Sequence, residues 1–227
     1  MNNKIIYHGS KNIIQKPYYH GGKKENDYGY GFYCTENLEL AKEWSCNNNE
    51  ENGFVNKYSI DLSDLKILDL TDKNYSILNW MAILLKNRSF DLASDISIQA
   101  KQYLIENFYI DTEKYDIVIG YRADDSYFSF ARDFVNNTIF VRQLNLAMSL
   151  GELGKQIVII SEKAFSSLKF EGFEAVNHLI YYAKRQLRDK KAKEAYLSGP
   201  IRKTAIKSDI FVLDIIRRGL KNDDTIL

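Results

Sequence analysis

Tyr7-His8-Gly9-Ser10 and, after a polar loop, Tyr28-Gly29-Tyr30-Gly31-Phe32-Tyr33-Cys34-Thr35 are the stretches on which the reading of this chain turns. Lys4–Tyr7 has the character of a short strand running into His8-Gly9-Ser10, and Phe32–Thr35 reads as a second short strand. Residues 11–29 between them form a polar loop holding Pro17, one of only two prolines in the chain. Gly29-x-Gly31 is no dinucleotide fingerprint, because the third glycine, the following helix and the distant acid are all missing. Taken singly, His8 reads as a structural histidine and each tyrosine as one of sixteen. Taken together, the His, Tyr and Gly at the ends of two short strands ask for a common explanation.

Working outward, the spacing predicts a helix over Leu38–Cys46 with Leu38, Ala41 and Cys46 inward, then strands over Val55–Asp61 and Lys66–Leu70. Ile77, Trp80, Met81, Leu84 and Leu85 fall at i, i+3, i+4, i+7 and i+8, one face of an amphipathic helix. A further helix is expected over Ile96–Phe108, a buried strand over Tyr115–Gly120 and a helix near Tyr127–Val135. Gln156–Ile160 is the strongest strand, bracketed by Gly151, Gly154 and Ser161. Glu162–Leu168 (helix), Lys169–Val176 (strand), Leu179–Tyr196 (helix) and Ile210–Leu220 (helix) follow, with a break at Ser198-Gly199-Pro200. Short strands scattered among helices, without a regular βαβ rhythm, place the chain in the α+β class.

Bulk properties narrow the setting. The 227 residues are 45% apolar, enough for a sizeable core in one domain with an appendage. Residues 1–177 are read as that domain and 178–227 as a basic helical extension. The net charge is +1, yet His178–Lys221 holds twelve Lys/Arg against four Asp/Glu. That basic run reads as a solvated helix face, or as a docking surface for an acidic partner. Cys34 and Cys46 give neither a disulfide framework nor a metal spacing, so no metal is expected and the plain setting is reducing and cytoplasmic. Leaderless export stays compatible with this. No apolar run is long enough to span a membrane.

The ordered set of segments resembles the NAD⁺-binding signatures of the ADP-ribosyltransferases, in the His-Tyr-Glu branch. There a strand ends in His-Gly-(Ser/Thr) and a Gly-x-Gly-(Ile/Phe)-Tyr strand follows some twenty residues on. More closely, residues 5–170 are similar to a bacterial family catalogued as domain of unknown function 3990. The matching elements are Tyr7-His8-Gly9-Ser10, Tyr30-Gly31-Phe32-Tyr33-Cys34-Thr35, Ala41-x-x-Trp44, Asp116-Ile117-Val118-x-Gly120, Ala123-Asp124-Asp125 and Gln156-Ile157-Val158. The resemblance implies a split, mixed β-sheet core with flanking helices and a C-terminal helical extension. It also implies NAD⁺ as co-substrate, bound by His8, Gly9, Ser10, Gly31, Phe32, Tyr33, Trp44 and Gln156.

The roles follow from what NAD⁺ asks of a site. The carboxamide of nicotinamide needs a donor and an acceptor, which the backbone of Gly9 can supply while its missing side chain permits close approach. His8, as a neutral imidazole, is expected to donate to a ribose hydroxyl of the adenosine half. Tyr33 and Trp44 can hold the pyridinium between aromatic faces, worth on the order of 1–2 kcal/mol when desolvated. The alternative for Trp44 is a plain anchor of its helix in the core. Ala41 stands where polymerase-like relatives carry a hydroxyl on the carboxamide; Ser10 is a candidate to replace that bond.

The main departure from the pattern is Gln156, which stands where the branch carries glutamate. Its amide can hydrogen-bond a ribose but brings no charge and cannot act as a base. The missing carboxylate draws attention to Asp125 and Asp124, whose alternative role is to cap the next helix. Arg122, Arg132 and Arg142 are all available to a pyrophosphate. The expected activity is mono-ADP-ribosyl transfer from NAD⁺ to a macromolecular acceptor, a protein rather than a nucleic acid, in a toxin, effector or defence protein. His8, Tyr33, Gln156 and Asp125 are the residues expected to carry it. Two other readings stand beside it: a catalytically silent NAD⁺ or ADP-ribose binding or protein-interaction module, and an NAD⁺ glycohydrolase.

Overall fold

The computed structural model describes residues 3–46, 51–92, 94–123, 125–149, 154–198 and 206–224, with the backbone alone at 125 and 126. Strand β1 (Asn3–Ser10) continues past Tyr7 through the whole His8-Gly9-Ser10 segment, because β3 (Gly53–Asp61) pairs with it antiparallel along its full length, from Asn3↔Asp61 to Ser10↔Phe54. On the other side of β3 lies β7 (Leu168–Val176), also antiparallel, which completes a three-stranded sheet.

A second sheet of four strands runs in the order β2 (Phe32–Cys34), β6 (Gln156–Ile159), β5 (Ile117–Gly120), β4 (Ile67–Asp69). All its pairs are antiparallel except β4 with β5. Both faces of its centre are covered, and accordingly every residue of β6 is buried. The two sheets touch edge to edge at one isolated bridge, where Tyr7 and Thr35 exchange backbone hydrogen bonds of 2.8 and 2.9 Å. Beyond that bridge β1 and β2 part, and the cleft described below opens between them.

Helix α1 (Leu38–Ser45) begins at Asn37, whose side chain accepts from the Leu40 N–H at 3.1 Å. It packs on β1 and β3 through Leu40, Ala41 and Trp44. Helix α2 (Ile77–Asn87) departs from the amphipathic expectation: Ile77 to Leu85 are buried without a break. Leu78, Ala82 and Ile83 are buried as fully as the expected face, and with α3 (Asp95–Phe108) and α5 (Val141–Ser149) packed against it α2 is the centre of the main core. Helix α5, which the hydrophobic spacing did not predict, buries Gln143, Leu144, Ala147 and Met148. Its start is capped by Gln143, whose Oε1 accepts from the Phe140 N–H at 3.1 Å.

Helix α4 (Asp125–Val135) and the short α6 (Glu162–Ser166) occupy the expected places. The basic run forms α7 (His178–Ser198), and α8 (Val212–Arg218) follows. Both contribute to the core around α2: Ala192 and Tyr196 from α7, Val212 and Ile215 from α8 are buried in it. Much of the positive charge of α7 is answered within the chain, by Lys184 with Glu39 at 3.0 Å and Arg188 with Glu43 at 2.7 Å. The fold is thus α+β with two sheets, one of them mixed. Among the described residues no helix is long and apolar enough to cross a membrane.

Candidate functional site

The cleft where β1 and β2 part is lined by His8, Gly9, Tyr33, Trp44 and Gln156, residues from β1, β2, α1 and β6 that lie far apart in the chain. Its volume is about 280 Å³. A second cavity of about 470 Å³ adjoins it, sharing His8, Asn26 and Tyr33. The second is more apolar, walled by Ile14, Pro17, Tyr18, Phe32 and Phe165, and includes Gly31. Of the sequence-predicted binding residues only Ser10 lines neither. Its hydroxyl turns to the loop instead, donating to the Asn12 carbonyl at 2.5 Å and accepting from the Asn12 N–H at 3.2 Å. It is therefore in no position to replace the hydroxyl that Ala41 lacks.

Alternation along β1 decides what Gly9 offers. In an antiparallel pair, successive residues turn their peptide groups to opposite sides. Tyr7 turns its N–H and C=O away from β3, to Thr35, so Gly9, two residues on, turns its own the same way, into the cleft. The absent side chain serves a different neighbour than the sequence suggested. A Cβ there would stand 2.0 Å from the Ala41 carbonyl oxygen and 2.8 Å from the Ser45 nitrogen. Glycine is needed for α1 to lie against β1.

His8 sits at the fork between the cavities. Its ring stacks on Phe32 with centroids 4.3 Å apart, and Nδ1 lies 2.7 Å from the Tyr33 carbonyl oxygen. A carbonyl only accepts, so Nδ1 carries the proton and donates. Burial pushes the imidazole below its ordinary pKa of 6.5, outweighing the carbonyl's opposing effect. The neutral ring then presents Nε2 as an acceptor. Sequence reading expected this ring to donate to a ligand hydroxyl; with Nδ1 committed to Tyr33, the other ring nitrogen is placed to accept instead.

The hydroxyl of Tyr33 is committed to the loop before it, donating to the Gly29 carbonyl at 2.7 Å and accepting from the Tyr28 N–H at 3.1 Å. Burial raises its pKa above the ordinary tyrosine range. The ring is thus fixed in place and the hydroxyl is not a proton donor or acceptor for chemistry. Trp44 is buried, and its Nε1 has no hydrogen-bond partner among the described residues. The guanidinium of Arg122 lies over its ring, 4.5 Å from the centroid.

The cleft holds a carboxylate that sequence reading did not name, Asp27. Asp124 and the side chain of Asp125 lie outside the described residues. Asp27 comes from the long loop before β2 and is only 6% exposed. Its Oδ2 accepts from Gln156 Nε2 at 3.0 Å and from the Ala123 N–H at 2.8 Å. Among the described residues Oδ1 has no hydrogen-bond partner, although Arg88 NH1 stands 3.4 Å away. Burial raises the pKa of this carboxyl, opposed by the Ala123 N–H, Arg88, Gln156 and Arg122 in that order. A buried charge with one oxygen unbonded is costly unless a ligand or structural neighbours compensate it.

The loop after β5 is held for this contact. Both Tyr28 Oη and Trp80 Nε1 donate to the Tyr121 carbonyl, at 2.7 and 3.1 Å. A Cβ on Gly120 would lie 2.1 Å from Tyr28 Oη, so only glycine admits that bond. Arg122 and Ala123 follow directly and line the cleft, as do Arg88 from the end of α2 and Arg185 from α7. Of the arginines proposed from sequence, Arg122 is the one at the site; Arg142 pairs with Asp209 at 2.9 Å. Arg132 does not line the cleft, and Glu162 lines a separate groove with Tyr19, Tyr115 and Ser161.

Sequence reasoning therefore missed Asn26, Asp27, Arg88 and Arg185. Asp27 directly precedes Tyr28-Gly29, but in a polar loop nothing in its spacing separates it from Glu25. Arg185 was counted with a solvated basic face, and Arg88 merely closes a helix. The arrangement suits a ligand with an anionic centre, for the arginines, and flat groups on either side of His8 and Tyr33.

Residues 4–170 match the model of a protein family of unknown function, DUF3990. With about three-quarters of its length matched, the chain belongs to that family. No curated protein and no solved structure shows a significant match.

Proposed function

We propose that this member of the DUF3990 family binds NAD⁺ in the cleft between β1 and β2 and transfers its ADP-ribosyl group to a macromolecule. The observation that carries the reading is the convergence of His8, Gly9, Tyr33, Trp44 and Gln156 on one cleft beside three arginines. These are the positions the ADP-ribosyltransferase resemblance names, and that fold is part of the proposal. Two sheets meeting at one bridge, with the cleft at their parting, fit a split-sheet core.

The residues present fit the dinucleotide on a test independent of the resemblance. The cleft holds a buried acceptor and a buried donor without hydrogen-bond partners among the described residues, Asp27 Oδ1 and Trp44 Nε1, and an inward-turned peptide at Gly9. Nicotinamide belongs against Tyr33 and Trp44, its carboxamide on the Gly9 backbone. The diphosphate is matched by Arg122, Arg88 and Arg185, and the adenosine by the apolar cavity beyond His8. NAD⁺ supplies the chemistry: its N-glycosidic bond breaks, the electron pair leaves with neutral nicotinamide, and the acceptor joins the ribose as it loses a proton. Catalysis rests on stabilising positive charge that develops on the ribose.

The same site favours a second reading on one observation. The third-position residue is an amide, so no general base stands at Gln156. A module that holds NAD⁺ or ADP-ribose without turnover would need nothing more.

Incubating pure protein with NAD⁺, with and without cell extract, separates these. Extract-dependent labelling with nicotinamide release supports the transferase. Nicotinamide release alone points to a glycohydrolase, and calorimetric binding without release to the silent module. Absence of both binding and release rejects the proposal.

A further inference from the structure

Gln156 and Asp27 are joined in a way that bears on the missing glutamate. A carboxylate can only accept, so the bond at 3.0 Å fixes Nε2 of the amide toward Asp27. The planar amide then directs Oε1 to its other arm, in a side chain that lines the cleft. A glutamate in that place would offer an acceptor oxygen and a negative charge on one group. Here the acceptor oxygen belongs to Gln156 and the charge lies one hydrogen bond behind it, on Asp27. The charge is kept out of water and is steadied by the Ala123 N–H at 2.8 Å and by Arg88 at 3.4 Å.

We infer that Asp27 and Gln156 work as one unit that replaces a single carboxylate. Gln156 Oε1 accepts from a hydroxyl of the nicotinamide ribose, and Asp27 is the positioning residue that orients the amide and supplies the negative charge felt by the ribose. This rests on the function proposed above. Asp27 does not touch the reacting atoms. Its influence passes through the amide and through a low-dielectric wall, where a charge a few ångströms further back still counts.

The unit makes a prediction that a structural carboxylate does not: the charge can be moved across the hydrogen bond. Asp27→Asn keeps an oxygen for Gln156 and Ala123 but removes the charge. Gln156→Glu alone sets two carboxylates against each other. Asp27→Asn with Gln156→Glu returns one charge and one amide, with positions exchanged. Nicotinamide release from NAD⁺ is expected to fall at least tenfold in kcat in each single variant, with KM altered less. The double variant regains the charge but turns the new asparagine's NH2 toward the Ala123 N–H, which shares Oδ2 with Gln156. It is therefore expected to exceed the poorer single variant by about threefold or more without reaching the parent. In Gln156→Glu the pH profile of kcat should gain a carboxyl group titrating above the ordinary range, and the double variant should lose it. A kcat in Asp27→Asn equal to the parent's, or a double variant no better than the poorer single one, overturns the inference.

Failure of the function itself is told apart by thermal unfolding of the same four proteins. If the parent neither binds nor cleaves NAD⁺, the function proposed above fails. The shared-charge unit is then supported by a midpoint lowered in Gln156→Glu and partly restored in the double variant. It is overturned by midpoints that simply add.

Discussion

The guanidinium of Arg122 stands 4.5 Å from the centre of the Trp44 ring, so the aromatic face that a pyridinium would seek already carries a cation of the protein. A cationic ring taking that face displaces Arg122 toward the cleft, where a diphosphate can hold it. Trp44→Leu is expected to weaken NAD⁺ by roughly 3- to 30-fold, the range for losing one cation–π contact. ADP-ribose, lacking the pyridinium, should weaken less. Calorimetric titration of both ligands checks this, and equal losses would leave Trp44 as an anchor of α1 alone.

Gly9 is pinned by backbone atoms of α1 that stand where its side chain would be. Gly9→Ala puts a methyl 2.0 Å from the Ala41 carbonyl oxygen, which no rotamer change relieves. A destabilisation on the order of 3 kcal/mol is expected, the upper end for overpacking, as read by urea unfolding. Because Trp44 rides on the same helix, ligand affinity should fall with it. A variant as stable as the parent would mean that α1 is free to shift.

Two buried groups give stability an opposite dependence on pH. His8 is held below its ordinary 6.5, so the unfolded chain takes up a proton more readily than the folded one. Stability is expected to drop as pH falls through 6.5 toward the lowered folded value. Asp27 is raised above its ordinary 3.8, so the folded chain keeps its proton longer, and stability falls as pH rises through that window. His8→Gln should flatten the first slope and Asp27→Asn the second. Thermal midpoints from pH 4 to 8 measure both, and unchanged slopes would contradict the burial assigned to each group.

Arg188 and Glu43 face each other at 2.7 Å with side chains only 12% exposed, tying α7 to α1. Breaking one side of a largely buried pair leaves the other charge stranded, at a cost of about 3–5 kcal/mol. Arg188→Leu is expected to loosen α7 locally, with faster amide exchange in residues 178–198 than in α2. Since Arg185 of that helix lines the cleft, affinity for ADP-ribose should fall as well. Protection in α7 equal to the parent's would show that Ala192 and Tyr196 hold the helix unaided.

Local pattern carried most of the element boundaries. The strand at Gln156–Ile159 and the helix at Asp95–Phe108 lie within a residue of where spacing put them, and α2 starts at the expected Ile77 but runs two residues past Leu85. Helix α5 escaped: its apolar residues follow a turn of Asn136-Asn137-Thr138, and its start depends on the cap from Gln143. The far end of β1 was cut short at Tyr7 because His8-Gly9-Ser10 has poor strand propensity. Pairing with β3 outweighs that propensity.

The sequence by itself determined most of the strands and helices, the α+β class, the family, and five of the residues that meet in the cleft. Those are properties of local period and of residue types in order. Only the tertiary structure decided that Asp27 faces Gln156 in the cleft, which arginines line it, and which way His8 turns its proton. Asp27 reaches Gln156 across 129 positions of chain, and no spacing rule links them. Their hydrogen bond exists because β1 and β2 part at one bridge and the loop between them folds back over the opening. Burial there gives one aspartate a hydrogen-bond partner that no neighbouring residue in the chain foretells.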